Sequence, residues 1–308
     1  MRSALRAAAW RRKGPSAEPP EGRVTVAAAG DLHVHESAAE RWHRSLAELQ
    51  GTDLILLAGD LTADGLAVQG EALADACRAA AAPVVAVLGN HDWHMGEEEG
   101  IAAALRDAGV RVLERESAVY PIRDVDVGIV GLKGFVGGFL DSRLPDFGEP
   151  LLRRVYAQTS LDVDALEREL QVVEACDLRI VLLHYAPTAT TLTGEREGIW
   201  TFLGTDRLAE PIARHEPDLI LHGHAHGGVF RGCIGTVDVW NVAMPILDWD
   251  FAIFELDASV EGRAAPDDVS ERLRLGGDPH VQAPAQDDAG SSRTALHVDR
   301  AHQRAHER

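Results

Sequence analysis

Seven residues of this chain have the types and spacing that hold metal ions: Asp31, His33, Asp60, Asn90, His184, His224 and His226. They sit in five short signatures, Asp31-Leu32-His33, Gly59-Asp60, Gly89-Asn90-His91-Asp92, His184, and Gly223-His224-Ala225-His226. An Asp and a His one residue apart point the same way on an extended segment, because side chains alternate there. A carboxylate has two oxygens, so Asp60 can bridge two ions roughly 3.5–4 Å apart. Imidazole nitrogen combined with carboxylate oxygen suits Mn²⁺, Fe, Zn²⁺ or Ni²⁺ better than Ca²⁺ or Mg²⁺. Two carboxylates set against two divalent ions leave such a site positive, able to bind a phosphate oxyanion and hold a hydroxide.

Strand ends must position these residues. Val24–Ala29, Leu54–Ala58 and Val84–Leu88 are short, nearly continuous apolar runs, the pattern of strands buried on both faces. Helical stretches at Ala38–Leu49 and Val68–Ala81 lie between them. Further strands are expected at Val125–Leu132, Arg179–His184, Asp218–His222, Val237–Val242 and Phe251–Leu256, and further helices at Glu98–Ala108, Val163–Ala175 and Thr205–His215. Alternating strand and helix argues for a layered α/β architecture. The late strands, joined by short turns, predict a second and more antiparallel sheet packed on the first. Each signature follows a strand, and open α/β sheets bind ligands beyond the carboxyl ends of their strands. Five strand ends therefore aim at one crevice.

The bulk numbers bound the function. The 308 residues suit one large domain or two small ones, and 45% apolar content supports a buried core without a membrane. A net charge of −19, carried mostly by the middle of the chain, repels long polyanions, so bulk nucleic acid is not an expected partner. Cys77, Cys176 and Cys233 are odd in number and far apart. They read as small buried apolar residues, not a disulfide framework, and fit a reducing compartment. No apolar run has membrane-spanning length. Arg11-Arg12-Lys13 is followed by Gly14-Pro15 and not by an apolar stretch, so the expected location is cytoplasmic. Residues 1–22 read as a flexible leader, 23–257 as the folded domain and 258–308 as a disordered tail with room for a short helix near Val269–Leu275.

The ordered set D-x-H, G-D, G-N-H-D, H, G-H-x-H resembles the calcineurin-like metallophosphoesterase superfamily over roughly Val24 to Leu256. The resemblance implies an α/β fold, a two-sheet β-sandwich flanked by helices in four αββα layers. It implies that Asp31, His33, Asp60 and His226 hold one metal, and that Asp60, Asn90, His184 and His224 hold the other. His91 would be the imidazole that stabilises or protonates the leaving oxygen, oriented by Asp92. The function implied is metal-dependent hydrolysis of a small phosphodiester or phosphomonoester by a metal-bridging hydroxide. Bacterial cyclic-nucleotide phosphodiesterases are among the members resembled. The ions expected are two divalent transition metals, Mn²⁺ or Fe first, then Zn²⁺ or Ni²⁺. Two alternatives stand beside this: a non-catalytic metal-binding scaffold, which should lack some ligands, and a nuclease, which the acidic surface disfavours.

Other histidines read more plainly. His35, His94 and His222 lie beside the signatures without filling a ligand slot, and His43 and His215 fall in helical stretches. Two irregular segments frame the expected site. Gly131–Gly138, extended by Phe139–Pro150, reads either as a strand exit with unusual backbone angles or as a mobile flap. Pro187–Leu203 follows His184 and reads as a segment shaping substrate access.

Overall fold

A computed structural model describes residues 22–247, 249–259 and 273–275. In chain order the first strands are β1 (Arg23–Ala29), β2 (Leu54–Ala58), β3 (Val84–Val87), β4 (Arg111–Val112), β5 (Glu116–Ile122) and β6 (Val125–Leu132). They are followed by β7 (Leu178–Leu183), β8 (Leu219–His222), β9 (Arg231–Ile234), β10 (Val237–Asn241), β11 (Ala252–Asp257) and β12 (Leu273–Leu275). The α-helices are α1 (Ala39–Ala47), α2 (Ala67–Cys77), α3 (Glu98–Asp107), α4 (Pro150–Val172), α5 (Trp200–Leu203) and α6 (Ala209–His215).

The strands form two six-stranded sheets, ordered β12-β11-β1-β2-β3-β4 and β5-β6-β7-β8-β10-β9. In the first, β1 to β4 run parallel, with β11 antiparallel to β1. In the second, β6, β7, β8 and β10 run parallel, and only the edge strands β5 and β9 are antiparallel. The continuous apolar runs now have a physical reason. Along β2, Ile55 and Leu57 face the helix layer while Leu54 and Leu56 face the other sheet. Along β7, Ile180 and Leu182 face the first sheet while Val181 and Leu183 face the layer of α4 and α6. Three stacked apolar cores thus separate four layers, helices, sheet, sheet and helices, as the resemblance implied.

Several expectations need correcting. The second sheet is mostly parallel, and the last expected strand leaves it to pair with β1 across Arg23↔Asp257 to Ala28↔Ala252. The helix expected at Val163–Ala175 starts thirteen residues earlier, at Pro150, a residue suited to a first helical turn. Its N-terminal turns expose Leu151 and Leu152 and bury little, so no apolar stripe marked them. In the tail, the described part of the expected helix, Leu273–Leu275, is instead a strand antiparallel to β11. The leader and most of the tail lie outside the described residues. Cys77 is buried, but Cys176 is half-buried and Cys233 exposed, so the buried reading holds for only one of the three; all are free thiols. No described helix is long and apolar enough to cross a membrane.

Candidate metal centre

The site is assembled at the carboxyl ends of β1, β2, β3, β7 and β8, so both sheets contribute. The loops are stitched together through their backbones. Asp31 N–H donates to Gly59 O at 2.8 Å, His33 N–H to Asp60 O at 3.0 Å, and Gly223 N–H to His184 O at 3.1 Å. Four of the seven candidate ligands take left-handed backbone angles: Asp31 (φ 59°), His33 (φ 44°), Asp60 (φ 48°) and His224 (φ 69°). This conformation costs an L-residue roughly 1–2 kcal/mol and collects where function requires it. The glycines of the signatures permit close approach. A Cβ on Gly89 would collide with the Asp60 carboxylate, and one on Gly223 with the Asp31 carboxylate.

The donor atoms converge in three triads, within each of which the ligand atoms lie no more than 4.8 Å apart: Asp31, His33 and His226; His33, Asp60 and His91; Asp60, His184 and His224. Asp60 belongs to two of them. Asn90 joins the last group, its Oδ1 lying 2.8 Å from His184 Nε2. His226 Nε2 is 2.7 Å from Asp31 Oδ1.

Two imidazoles are held in the manner of metal ligands, with one ring N–H given to a backbone carbonyl. His184 donates Nδ1–H to Ala58 O at 2.9 Å, and His224 donates Nε2–H to Phe202 O at 3.0 Å. His184 Nε2 is then left facing Asn90 Oδ1 and, at 3.3 Å, Asp60 Oδ1. A neutral nitrogen lone pair set against two oxygen acceptors is repulsive, and a cation among them makes the arrangement attractive. The donor set therefore fits a divalent transition ion. The electrostatics agree. Burial alone would raise the Asp31 carboxyl, but the hydrogen bond from His226, the charge of that imidazole and the His224 backbone N–H hold it below its ordinary value. Burial pushes His224 down to about 4, keeping it in the neutral form a metal needs.

His91 and Asp92 do not work as the pair expected. His91 Nδ1–H donates to Ala63 O at 2.7 Å, leaving Nε2 turned inward, 4.0 Å from Asp60 Oδ2. Asp92 is fully buried and accepts from Leu61 N, Thr62 N, Thr62 Oγ1 and Gly89 N. The orienting atom for His91 is thus a main-chain carbonyl, and Asp92 braces the loops after β2 and β3 against each other.

His222 is fully buried and gives both ring nitrogens to protein partners, Gly223 O at 2.7 Å and Thr191 Oγ1 at 2.9 Å, which makes it a brace. His35 and His43 are exposed, and His215 pairs with Glu167 at 3.0 Å. His94 is exposed with its ring 6.0 Å from that of His91. The two irregular segments form one unit. Gly137 N–H donates to Thr201 O, Gly138 N–H to Gly204 O, and Arg143 grips the Asp206 carboxylate at 2.8–3.0 Å. Sequence reasoning missed Ala58, Ala63 and Phe202, whose carbonyls hold the imidazoles, because a main-chain oxygen leaves no mark on residue type. It also missed Asn241, which is buried and donates to Ala225 O at 2.7 Å inside the His224–His226 loop.

Comparison with known proteins identifies the family of the chain. The family model described as calcineurin-like phosphoesterase matches residues 24–228. Among solved structures, the chain is similar to TT1561 of Thermus thermophilus (19% identity, TM-score 0.54, covering 82% of this chain and 98% of that one). It is also similar to the phosphopantetheinyl hydrolase PptH of Mycobacterium tuberculosis (16% identity, TM-score 0.52, covering 85% and 99%). A putative 5′-nucleotidase from Staphylococcus aureus shares the fold at 15% identity and TM-score 0.50, covering 86% of this chain and 56% of that one. A search of curated protein sequences finds no match. A model match over most of the chain, on the same strand ends that carry the triads, shows that this protein belongs to the calcineurin-like phosphoesterase family and is a metal-dependent phosphoric ester hydrolase.

Proposed function

We propose that the chain hydrolyses a small phosphodiester or phosphomonoester at a binuclear centre. The observation that carries this reading is the shared carboxylate of Asp60, which belongs to two donor triads at once. Asp31, His33, Asp60 and His226 would hold one ion, and Asp60, Asn90, His184 and His224 the other. When bound, the ions supply Lewis acidity toward the phosphoryl oxygens and an acidified water at neutral pH. The chain's own residues do the rest. Ala58 and Phe202 carbonyls fix the orientations of His184 and His224. The carbonyl of Ala63 fixes the tautomer of His91, so that its Nε2 is the atom able to pass a proton to a leaving oxygen.

Mn²⁺ or Fe is the proposed metal, with Zn²⁺ and Ni²⁺ compatible with the same donors. The phosphopantetheinyl hydrolase and the putative 5′-nucleotidase are named for small phosphoesters, which agrees with the reading but does not carry it at this identity. The test is turnover of bis-p-nitrophenyl phosphate, p-nitrophenyl phosphate, cyclic nucleotides and short oligonucleotides by Mn²⁺-loaded protein. Hydrolysis of a small ester with little action on oligonucleotides is expected. No turnover with any of Mn²⁺, Fe²⁺, Zn²⁺ or Ni²⁺ would sink the proposal.

A further inference from the structure

Beside the metal centre stands a lysine that the chemistry above does not use. Lys133 follows β6, at the start of the glycine-rich strand exit, and its carbonyl accepts from the backbone N–H groups of His184 and Tyr185. Its ammonium is framed by three aromatic rings, Phe135 at 4.8 Å, Tyr185 at 5.3 Å and Trp93 at 5.5 Å from their centroids. An ammonium has three donors. Among the described residues this one spends a single donor, on Gly134 O at 3.3 Å. Two N–H groups are left without a protein acceptor, in surroundings where rings have displaced much of the water.

Its place relative to the ligands is defined. The Tyr185 ring lies against the His224 ring at 4.5 Å, and His224 against His184 at 4.8 Å. Lys133 and the candidate ligand His224 therefore share the Tyr185 ring as a common neighbour. The carboxylates acting on it are Glu114, Asp162 and, more weakly, Asp60 in the centre itself. Trp93, one of the framing rings and two residues past His91, is 44% exposed, so the frame is in contact with solvent.

We propose that Lys133, framed by Trp93, Phe135 and Tyr185, reads a second anionic group on the substrate, phosphoryl or carboxylate, adjacent to the phosphoryl group that is hydrolysed. This rests on the phosphoesterase reading and narrows it, from any small phosphoester to one carrying a further anion. A fixed cation of this kind discriminates because a substrate lacking the anion leaves its donors unpaired in a partly dry pocket.

The test uses two non-hydrolysable probes and the full-length Mn²⁺-loaded protein. Methylphosphonate offers one anionic group and methylenediphosphonate two. Calorimetric Kd values are compared for wild type, Lys133→Met and Lys133→Arg, alongside bound manganese and melting temperature. Lys133→Met should weaken methylenediphosphonate roughly 10- to 100-fold, the worth of a charge-assisted hydrogen bond, without weakening methylphosphonate. Lys133→Arg should recover most of the loss. Equal weakening of both probes, weakening of neither, or loss of bound manganese in Lys133→Met would overturn the inference and leave Lys133 a structural counter-charge to Glu114 and Asp162. Should Lys133→Met fail to fold, Lys133→Gln, which keeps a donor but no charge, carries the same comparison. A wild-type protein that binds neither probe and turns over no ester refutes the phosphoesterase reading itself. One that binds both probes with no dependence on Lys133 refutes only this inference. Carboxylate and phosphoryl readers are told apart by repeating the comparison with phosphonoacetate.

Discussion

The floor of the site and its rim are built on different terms. The floor consists of strand ends that both sheets clamp in place. Asp31, Asp60, Asp92 and His184 are buried there, and the backbone is strained at four candidate ligands. The rim is the joined unit of residues 133–150 and 187–206, which leaves Leu140, Phe147 and Phe202 63–78% exposed. They meet where the Phe202 carbonyl takes the His224 ring proton. Strain persists only where surroundings over-determine it, so the floor has little freedom to vary without losing its chemistry. The rim is fastened by a few main-chain hydrogen bonds and a surface ion pair, and has more freedom to change with the substrate.

The largest expected effect comes from removing the residue the floor shares. Asp60→Ala should strip the protein of both ions and abolish turnover, because Asp60 belongs to both proposed ligand sets and each would lose a negative donor. Elemental analysis showing a full metal complement in that variant would refute the binuclear assignment. Next is His91→Ala. It should keep the metals while slowing hydrolysis of an alkyl phosphodiester by roughly 10²–10⁴-fold, and a nitrophenyl ester by less, since nitrophenolate leaves without a proton. His91 lies within ligand reach of His33 and Asp60, so metal content decides between the two roles. If it falls along with activity, His91 is a ligand.

Asp92→Ala is smaller in rate and larger in stability. Four buried donors lose their acceptor, which at about 1–3 kcal/mol for each group left unsatisfied should cost at least about 3 kcal/mol in denaturant unfolding of the metal-free protein. An unchanged unfolding midpoint together with a His91-like rate defect would restore Asp92 to the orienting role that the resemblance implied.

The same division explains what the sequence made legible. Ligand-bearing strand ends are visible because the chemistry restricts residue type and the collisions at Gly89 and Gly223 force a glycine beside a ligand. Strands such as β2 and β7 are visible because both of their faces are apolar. The N-terminal half of α4 was not visible, since it packs on little, nor was the parallel character of the second sheet. Both depend on partners distant in the chain. The unity of the two rim segments was hidden for a further reason. It rests on main-chain hydrogen bonds such as Gly137 to Thr201 and on the Arg143–Asp206 pair, across 63 residues, and neither produces a local pattern.

That pair supplies the mildest test of the comparison. Asp206 accepts from Arg143 in two places and from the backbone N–H of Leu140 at 3.0 Å, so it fastens the first rim segment to the start of the second helical stretch after β7. Arg143 is solvent-exposed, and exposed pairs are worth little. Asp206→Ala should therefore leave bound metal and kcat close to wild type and shift KM within a factor of about five, because what loosens is the surface a substrate crosses. The Phe202 carbonyl makes the outcome informative in the other direction. If the rim also positions His224 through that hydrogen bond, loosening it would release the ring and lower metal affinity. A KM effect at constant metal content keeps floor and rim separable. A fall in bound metal would show that the segment from Trp200 to Leu203 belongs to the floor, with its backbone a working part of the metal centre.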